Sequence, residues 1–220
     1  MGHPLLEHIL NFKNKESVSK SKFTETHGLE LGKPIISLIP GSRKQEIEKK
    51  LPVMLRAVSS YSKEFNIVIA GMKNFKDLYG KITYNSSAKV IYMDTYNLLN
   101  NSSRALVTSG TATLETAFFN VPQIVCYKTS WLSYIIAKSL VKIKYISLVN
   151  LIMDKEIIKE LIQNNLSVIN LTKELNNIND TLALKKMMEA YQELIAKCQG
   201  ENVSENIATD MFKTIESFQK

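Results

Sequence analysis

A short turn at the end of an apolar run brings together residues that could bind an anion. The run, Ile35–Ile39, is typical of a strand buried on both faces. Gly41 can adopt the positive φ of a tight turn, and Ser42 is placed to be a helix N-cap, with Gln45 three residues later. Such a turn would direct backbone N–H groups and the Arg43 guanidinium at a phosphate. The plain alternative is that the turn only joins strand to helix and that Arg43 is a surface charge.

A second turn has the same design. The run Ala105–Thr108 is followed by small residues and then by a helix that should begin at about Ala112. Small residues let the backbone approach a phosphate closely, and threonine hydroxyls add donors at the positive end of a helix. Glu115 could accept hydrogen bonds from a ribose diol, or it could be only a favourable first-turn carboxylate. The residues singled out in this turn are Ser109, Gly110, Thr111, Ala112 and Thr113.

The two turns together favour a phosphate-bearing ligand, because both should lie at the carboxyl edge where open α/β sheets bind ligands. The sequence contains neither the GxxxxGK[ST] nor the GxGxxG fingerprint, which disfavours a P-loop NTPase and a dinucleotide oxidoreductase. It also lacks a GxSxG elbow. The histidines at positions 3, 8 and 27 precede the sheet and are interpreted as surface residues, so neither a hydrolase triad nor a metal site is expected.

The amino-acid composition further limits the ligands, partners and cellular compartment that we expect. The 220 residues include 28 Lys plus Arg and 21 Asp plus Glu, a net charge of +7 that favours acidic ligands, phosphates or an anionic membrane surface. Lysines spread along the chain supply most of this charge, so we expect no nucleic-acid partner. Cys126 and Cys198 lack metal-binding spacing and should be reduced, and no apolar run is long enough for a membrane span. A soluble, cytoplasmic protein without a metal or cofactor is expected.

From Pro34 onward, short apolar runs alternate with helical patterns. This alternation predicts an α/β fold with a Rossmann-like parallel sheet flanked by helices. After Asn150 the strand signals stop, which predicts a C-terminal helical tail. The predicted strands are Ile35–Ile39, Asn66–Ala70, Lys89–Met93, Ala105–Thr108, Gln123–Tyr127 and Tyr145–Leu148, and the predicted late helices are Lys155–Gln163, Thr181–Lys197 and Asn202–Phe218.

The same pattern divides the chain into three parts. Residues 1–33 should comprise a fragment of another unit, up to about residue 12, and a polar, loosely packed linker from Asn11 to Lys33. Residues 34–165 should form the sheet domain. Residues 166–220 should form the helical segment.

Charged side chains on two predicted helices are expected to be exposed to solvent. The helix after the first turn should carry an apolar stripe that includes Ile47 and Leu51, with Lys50 on the opposite side. Glu156 and Glu160 are four residues apart on a predicted helix, which fits a solvated face better than an acid/base pair. We expect these charged side chains to face water.

The stretch 130–144 is apolar but carries Trp131, Tyr134 and several lysines. It could lie on an anionic bilayer with its lysines outward. It could equally pack on the sheet or on a partner subunit, and packing is the favoured interpretation.

With these segments in order, the chain resembles the lipid-A-disaccharide synthases of the GT-B glycosyltransferase class. The resemblance covers nearly the whole chain, and the motifs are far more specific together than any one alone. They are Gly2–Leu5, Leu38–Ile47, Thr108–Glu115, Pro122–Tyr127, Tyr145–Ile152 and Lys159–Gln163.

The resemblance implies a cytoplasmic, inverting transferase that joins UDP-2,3-diacylglucosamine to 2,3-diacylglucosamine 1-phosphate and releases UDP. It implies peripheral attachment to the inner membrane, because the acceptor is a lipid, and it leaves a homodimer open. By the same resemblance, Arg43 and the turn Ser109–Thr113 would hold the diphosphate and Glu115 the ribose. Asn150 would lie at the donor region, and Gln163 would lie near the donor in the helical tail.

Two departures from the family pattern matter. Val149 stands where the family usually has proline, and the chain begins where another Rossmann-like half of the family ends. The general base is therefore expected in that missing N-terminal half, and this chain alone should be inactive. Two alternatives stay open: another GT-B member such as a UDP-sugar 2-epimerase, and a non-catalytic nucleotide-binding module.

Overall fold

A computed structural model describes residues 2–129 and 144–218, and within them the chain forms a six-stranded, all-parallel sheet in the order β3-β2-β1-β4-β5-β6. This confirms the predicted Rossmann-like α/β fold class. The amphipathic stretch 130–144 lies, except for Lys144, outside the described residues. The strands are β1 Ile35–Ile39, β2 Asn66–Gly71, β3 Lys89–Tyr92, β4 Arg104–Thr108, β5 Gln123–Tyr127 and β6 Lys159–Ile162.

Helices cover both faces of this sheet, as strands buried on both faces require. In the described ranges they are α1 Pro4–Lys15, α2 Lys20–Thr26, α3 Lys44–Val58, α4 Lys76–Thr83, α5 Thr95–Asn100, α6 Thr111–Phe118, α7 Leu148–Met153, α8 Val168–Asn177, α9 Thr181–Cys198 and α10 Val203–Phe218. Short 3₁₀ turns lie at Ser59–Tyr61, Lys73–Phe75 and Gln163–Asn165. None of the helices in these ranges is both long and apolar enough to span a bilayer.

The core has two parts, one on each face of the sheet. Ile35 and Ile39 of β1 face one part, which also includes buried residues of α1, α5, α6, α7 and α9. Ile36 and Leu38 face the other, which α3, α4 and α8 complete. The continuous burial of β1, β2 and most of β4 and β5 explains why their sequences are continuously apolar.

The prediction for the last strand was wrong. Residues 145–147 are not a strand, and Leu148–Met153 is helix α7. The segment Lys159–Ile162, predicted to be helical, instead pairs with β5 as the sixth strand. As an edge strand it is hydrogen-bonded on one side only and exposes Lys159, so it lacks the apolar run that identified the central strands.

The entry segment is helical and packed, which corrects the expectation of a loose linker. Leu6 and Ile9 of α1 and Phe23 of α2 are each at most 2% exposed and belong to the core. A backbone bond of 2.8 Å joins His3 N–H to the Cys198 carbonyl at the end of α9. A side chain on Gly2 would bring its Cβ within 2.8 Å of the Gly200 nitrogen, so these two backbones approach closely. The division into three domains stays a prediction.

We predict that Ile9→Ala lowers the free energy of unfolding by roughly 2–5 kcal/mol, because it removes buried methyl groups and leaves a cavity under α1. Leu10→Ala is the matched control, since Leu10 is on the same helix but 42% exposed. Urea unfolding of both variants measures the difference. An equal, small effect of the two substitutions would contradict the packing of α1 as part of the domain.

Candidate functional site

The two predicted anion-binding turns lie side by side. β1 and β4 are neighbours in the sheet, with Ile39 opposite Val107 in the parallel register. The turns that follow these strands therefore leave the same edge at adjacent positions. Between them and the end of β5 lies a cavity of about 590 Å³, lined by Arg43, Lys44, Gln45, Glu46, Lys49, Lys50, Ser109, Tyr127, Lys128 and Thr129.

In the first turn, the N-cap of α3 is Arg43 and not Ser42, which corrects the sequence prediction. Gly41 has φ +116°, the left-handed backbone expected of it. The residue three after the cap is Glu46, and its Oε2 accepts hydrogen bonds from the N–H of Ser42 at 3.2 Å and of Arg43 at 3.4 Å. A glutamate at this position reaches back to the backbone of the cap, as in a capping box. Gln45, which the sequence suggested for this role, does not make the capping contact.

In the second turn, Gly110 is the N-cap of α6 and has φ +123°, so the helix begins one residue earlier than predicted. The Ser109 hydroxyl donates to the Ile146 carbonyl at 2.8 Å. The Thr113 hydroxyl is fully buried and donates to the Gly110 carbonyl at 2.8 Å, so it stabilises the turn instead of facing a ligand. The first N–H groups of a helix have no intrahelical acceptor, and here they belong to Thr111 and Ala112.

The cavity is strongly basic. Arg43, Lys44, Lys49, Lys50 and Lys128 line it, and Glu46 adds a carboxylate. These side chains come from α3 and from the residues after β5, so the positive charge is concentrated between the two helix N-termini. A phosphate-bearing ligand placed there would meet opposite charge beside the backbone N–H groups of two helix N-termini.

Lys50 is the residue of this cavity that the sequence interpretation misplaced. Its side chain is buried, with 1% exposure, although the helical pattern assigned it to the solvent side. Its Nζ donates a hydrogen bond to Thr108 Oγ1 at the end of β4 and lies 4.0 Å from Glu46 Oε1. Burial lowers the pKa of the Lys50 ammonium, and the nearby Glu46 carboxylate opposes that shift.

Glu115 is half-buried on a different side of α6 and does not line the cavity. The Tyr96 hydroxyl donates to its Oε1 at 3.4 Å, and the His8 ring packs on Tyr96 with 5.6 Å between ring centres. Burial raises the pKa of the Glu115 carboxyl, while the Tyr96 hydrogen bond and His8 act in the opposite direction. Burial and Glu115 together raise the pKa of Tyr96 to about 12.

Asn150 is fully buried, and its amide is used by its own loop. Its Nδ2 donates to the Ile158 carbonyl at 2.8 Å and to Glu160 Oε1 at 2.9 Å, and its Oδ1 accepts from the N–H of Ile157 and Ile158. Val149, where the family usually has proline, is buried beside it. The structure thus shows Asn150 fixing the loop between α7 and β6, and a direct contact with the donor stays a prediction.

Glu160 is the second organiser of this loop, and sequence reasoning missed it. The carboxylate, expected to face water beside Glu156, accepts bonds of 2.6–2.9 Å from the N–H groups of Ile146 and Ser147 and from the Ser147 hydroxyl. Because residues 159–162 are a strand, Glu156 and Glu160 do not share a helix face. Only the tertiary fold brings these donors to Glu160.

Gln163 lies at the carboxyl end of β6 and not in a helical tail, so it is at the same sheet edge as the two turns. Its Oε1 accepts a hydrogen bond from the Thr129 N–H at 3.1 Å. Thr129 lines the cavity. Gln163 therefore borders the cavity through Thr129, and its place near the donor stays a prediction.

A family model described as Lipid-A-disaccharide synthetase matches residues 1–212 of this chain. The chain belongs to the lipid-A-disaccharide synthetase family. A Sulfurihydrogenibium lipid-A-disaccharide synthase is 29% identical over 231 residues, covering 98% of this chain and 58% of the relative. A Persephonella marina enzyme of the same name is 36% identical over 173 residues, covering 74% of the chain and 44% of the relative. The chain spans about half the length of these curated relatives.

Solved structures agree with the family at the level of the fold. A glycosyltransferase from Rickettsia africae superposes with a TM-score of 0.60 at 16% identity, covering 89% of this chain and 51% of that one. The S. aureus MnaA-UDP co-structure gives a TM-score of 0.52 at 16% identity, covering 86% and 48%. The described part of the chain thus shares the parallel α/β fold of these GT-B neighbours and covers about half of each.

We predict that Glu115→Gln stabilises the protein at neutral pH. Burial raises the folded-state pKa of Glu115 above its unfolded value, so the ionised carboxylate opposes folding above that raised pKa. As pH falls through the window between the two values, the wild-type protein regains this stability and the difference between the two proteins shrinks. Urea unfolding at a series of pH values measures it. Glu48→Gln on exposed α3 surface is the baseline, and a stability difference that grows toward acid pH would contradict the sign.

Proposed function

We propose that this chain is the nucleotide-sugar-binding half of an inverting glycosyltransferase that forms the lipid A disaccharide. The donor is UDP-2,3-diacylglucosamine, the acceptor is 2,3-diacylglucosamine 1-phosphate, and UDP is released. The observation that carries the proposal is the pair of βα turns that meet over one basic cavity in a chain of this family. Family membership supports the chemistry, and the cavity supports the location of the donor.

In the proposed mechanism, this half binds the donor and stabilises the leaving group. Transfer of the sugar leaves negative charge on the diphosphate of UDP, and preorganised donors lower the energy of that charge. Arg43 would supply a guanidinium, and the N-termini of α3 and α6 would supply backbone N–H groups from Gly41–Arg43 and Ser109–Thr113. The general base that deprotonates the acceptor hydroxyl is proposed to lie in the part of the relatives that this chain does not span.

Glu115 is proposed to hold the ribose. An ionised carboxylate can accept two hydrogen bonds from a ribose diol, and Tyr96 already donates to Glu115 Oε1 at 3.4 Å. Asn150 and Gln163 are proposed to act at the donor region. Since both are engaged in loop hydrogen bonds, their effect would be to fix the shape of the edge on which the donor rests.

The proposed lipid acceptor implies a cytoplasmic enzyme attached peripherally to the inner membrane. Peripheral attachment favours the membrane option for the stretch 130–144, with its aromatic residues and lysines, beside the packing on the sheet or on a partner subunit that its sequence indicates. We further propose two protein partners, which are a second copy of this chain and the N-terminal half.

A UDP-sugar 2-epimerase is the second candidate. A putative UDP-N-acetylglucosamine 2-epimerase from Listeria monocytogenes superposes with a TM-score of 0.52 at 18% identity, which supports the fold alone. The two functions require different substrates. Turnover of acylated UDP-glucosamine only with a lipid acceptor favours the transferase, whereas epimerisation of plain UDP-N-acetylglucosamine favours the second candidate.

We predict that the purified chain binds UDP more tightly than ADP or GDP in calorimetry. At a 100-fold excess over its dissociation constant, UDP should raise the free energy of unfolding by about 2.7 kcal/mol. Arg43→Ala and Glu115→Ala should each weaken UDP binding about tenfold or more, because each removes a charge-assisted hydrogen bond.

The control for this titration is Arg56→Ala, which removes the same charge from the opposite end of α3. It should leave the UDP affinity within about twofold of the wild type, since exposed charges several turns away are screened. Equal affinity for the three nucleotides, or equal losses for Arg43→Ala and Arg56→Ala, would contradict the proposed donor site.

A further inference from the structure

The anion-binding turn after β1 is already occupied by a side chain of the protein itself. Glu46 Oε2 accepts hydrogen bonds from the N–H groups of Ser42 and Arg43, the donors that a phosphate oxygen would use there. The carboxylate also lies against Gly41, where an added Cβ would overlap it. The turn therefore holds an anion that the protein itself supplies.

Glu46 and a bound diphosphate exclude each other at this position. Each backbone N–H has a single hydrogen, so a bond to Glu46 is lost when the same N–H donates to phosphate. A carboxylate and a phosphate at hydrogen-bond distance from the same donors also repel each other. A diphosphate that uses the N–H groups of Ser42 and Arg43 must displace the Glu46 side chain.

Lys50 is placed to receive the displaced carboxylate. It follows Glu46 by four residues on α3, and its Nζ is 4.0 Å from Glu46 Oε1, just beyond hydrogen-bond length. The ammonium has three donors, and the bond to Thr108 Oγ1 uses one of them. Lys50 is 1% exposed, so burial disfavours its charge and a closer carboxylate would compensate for that cost.

We propose that Glu46 closes the anion-binding turn until the donor diphosphate binds, and that it then turns so that its 4.0 Å ion pair with Lys50 shortens to a hydrogen-bonded salt bridge. The inference rests on the proposed function, which places the diphosphate at this turn. Glu46 and Lys50 are then positioning residues, because they act through the backbone of Ser42 and Arg43. An anion that makes only these two hydrogen bonds gains little over Glu46, so the turn selects ligands that also reach the second turn.

The test is UDP titration of the full chain by calorimetry, with Glu46→Gln, Lys50→Met and the double variant. Removal of the competing charge should tighten UDP binding about tenfold in Glu46→Gln if the turn is closed in about nine molecules of ten. Lys50→Met should weaken binding about threefold or more, because Glu46 loses its alternative partner. In the Glu46→Gln background the same lysine substitution should have a much smaller effect.

Glu48→Gln is the matched control, since it removes an exposed carboxylate from the same helix and measures the general gain from one less negative charge. A gain in Glu46→Gln no larger than in Glu48→Gln overturns the inference while UDP binding to the wild type still supports the donor site. If Glu46→Gln melts before it can be titrated, Lys50→Met decides, and unchanged UDP affinity in that variant overturns the inference. A folded wild-type chain that binds no UDP removes the proposed donor site and this inference together.

Discussion

Parallel pairing of β1 with β4 is the constraint on which the candidate site depends. Parallel strands place their carboxyl ends at one edge, and these two are neighbours at the centre of the sheet. The turns after them, and the N-termini of α3 and α6, are therefore adjacent although about 70 residues separate them along the chain. The hydrogen bond from Lys50 to Thr108 also links α3 to the end of β4. The strand register and a buried side chain therefore both determine the distance between the two turns.

The central strands could be predicted because burial on both faces leaves an unmistakable apolar run, and the turns could be located because each directly follows such a run. Edge strand β6 could not, since pairing on one side only allows polar residues such as Lys159 and Glu160. Lys50 and Glu160 were misjudged for a related reason. A helical or charge pattern states which side chains prefer water, but the partners that make burial tolerable, Thr108 and the N–H groups near Ser147, come from distant segments.

The cavity and the loop before β6 differ in how far their charged groups are compensated. At the cavity, cations from α3 and from the end of β5 outnumber the lining carboxylate Glu46, and this excess of positive charge favours an anionic ligand. At the loop before β6, charge is fully satisfied: Glu160 and Asn150 consume the donors and acceptors around them. The cavity, with its excess of positive charge, is suited to bind an anion. The loop before β6, with its hydrogen bonds complete, is suited to keep the edge of the sheet in shape.

The backbone bond between His3 and Cys198, with the close approach of Gly2 to Gly200, ties the entry of the chain to the end of α9. A pull applied to the chain at residue 2 would therefore be transmitted first into the corner where α1, α9 and α10 meet. The Ser204 N–H bond to Glu7 at 3.0 Å strengthens that corner from the α10 side. A side chain larger than hydrogen at Gly2 or at Gly200 would therefore disturb both α1 and the start of α10, because each added Cβ would meet Val203 and the facing glycine backbone.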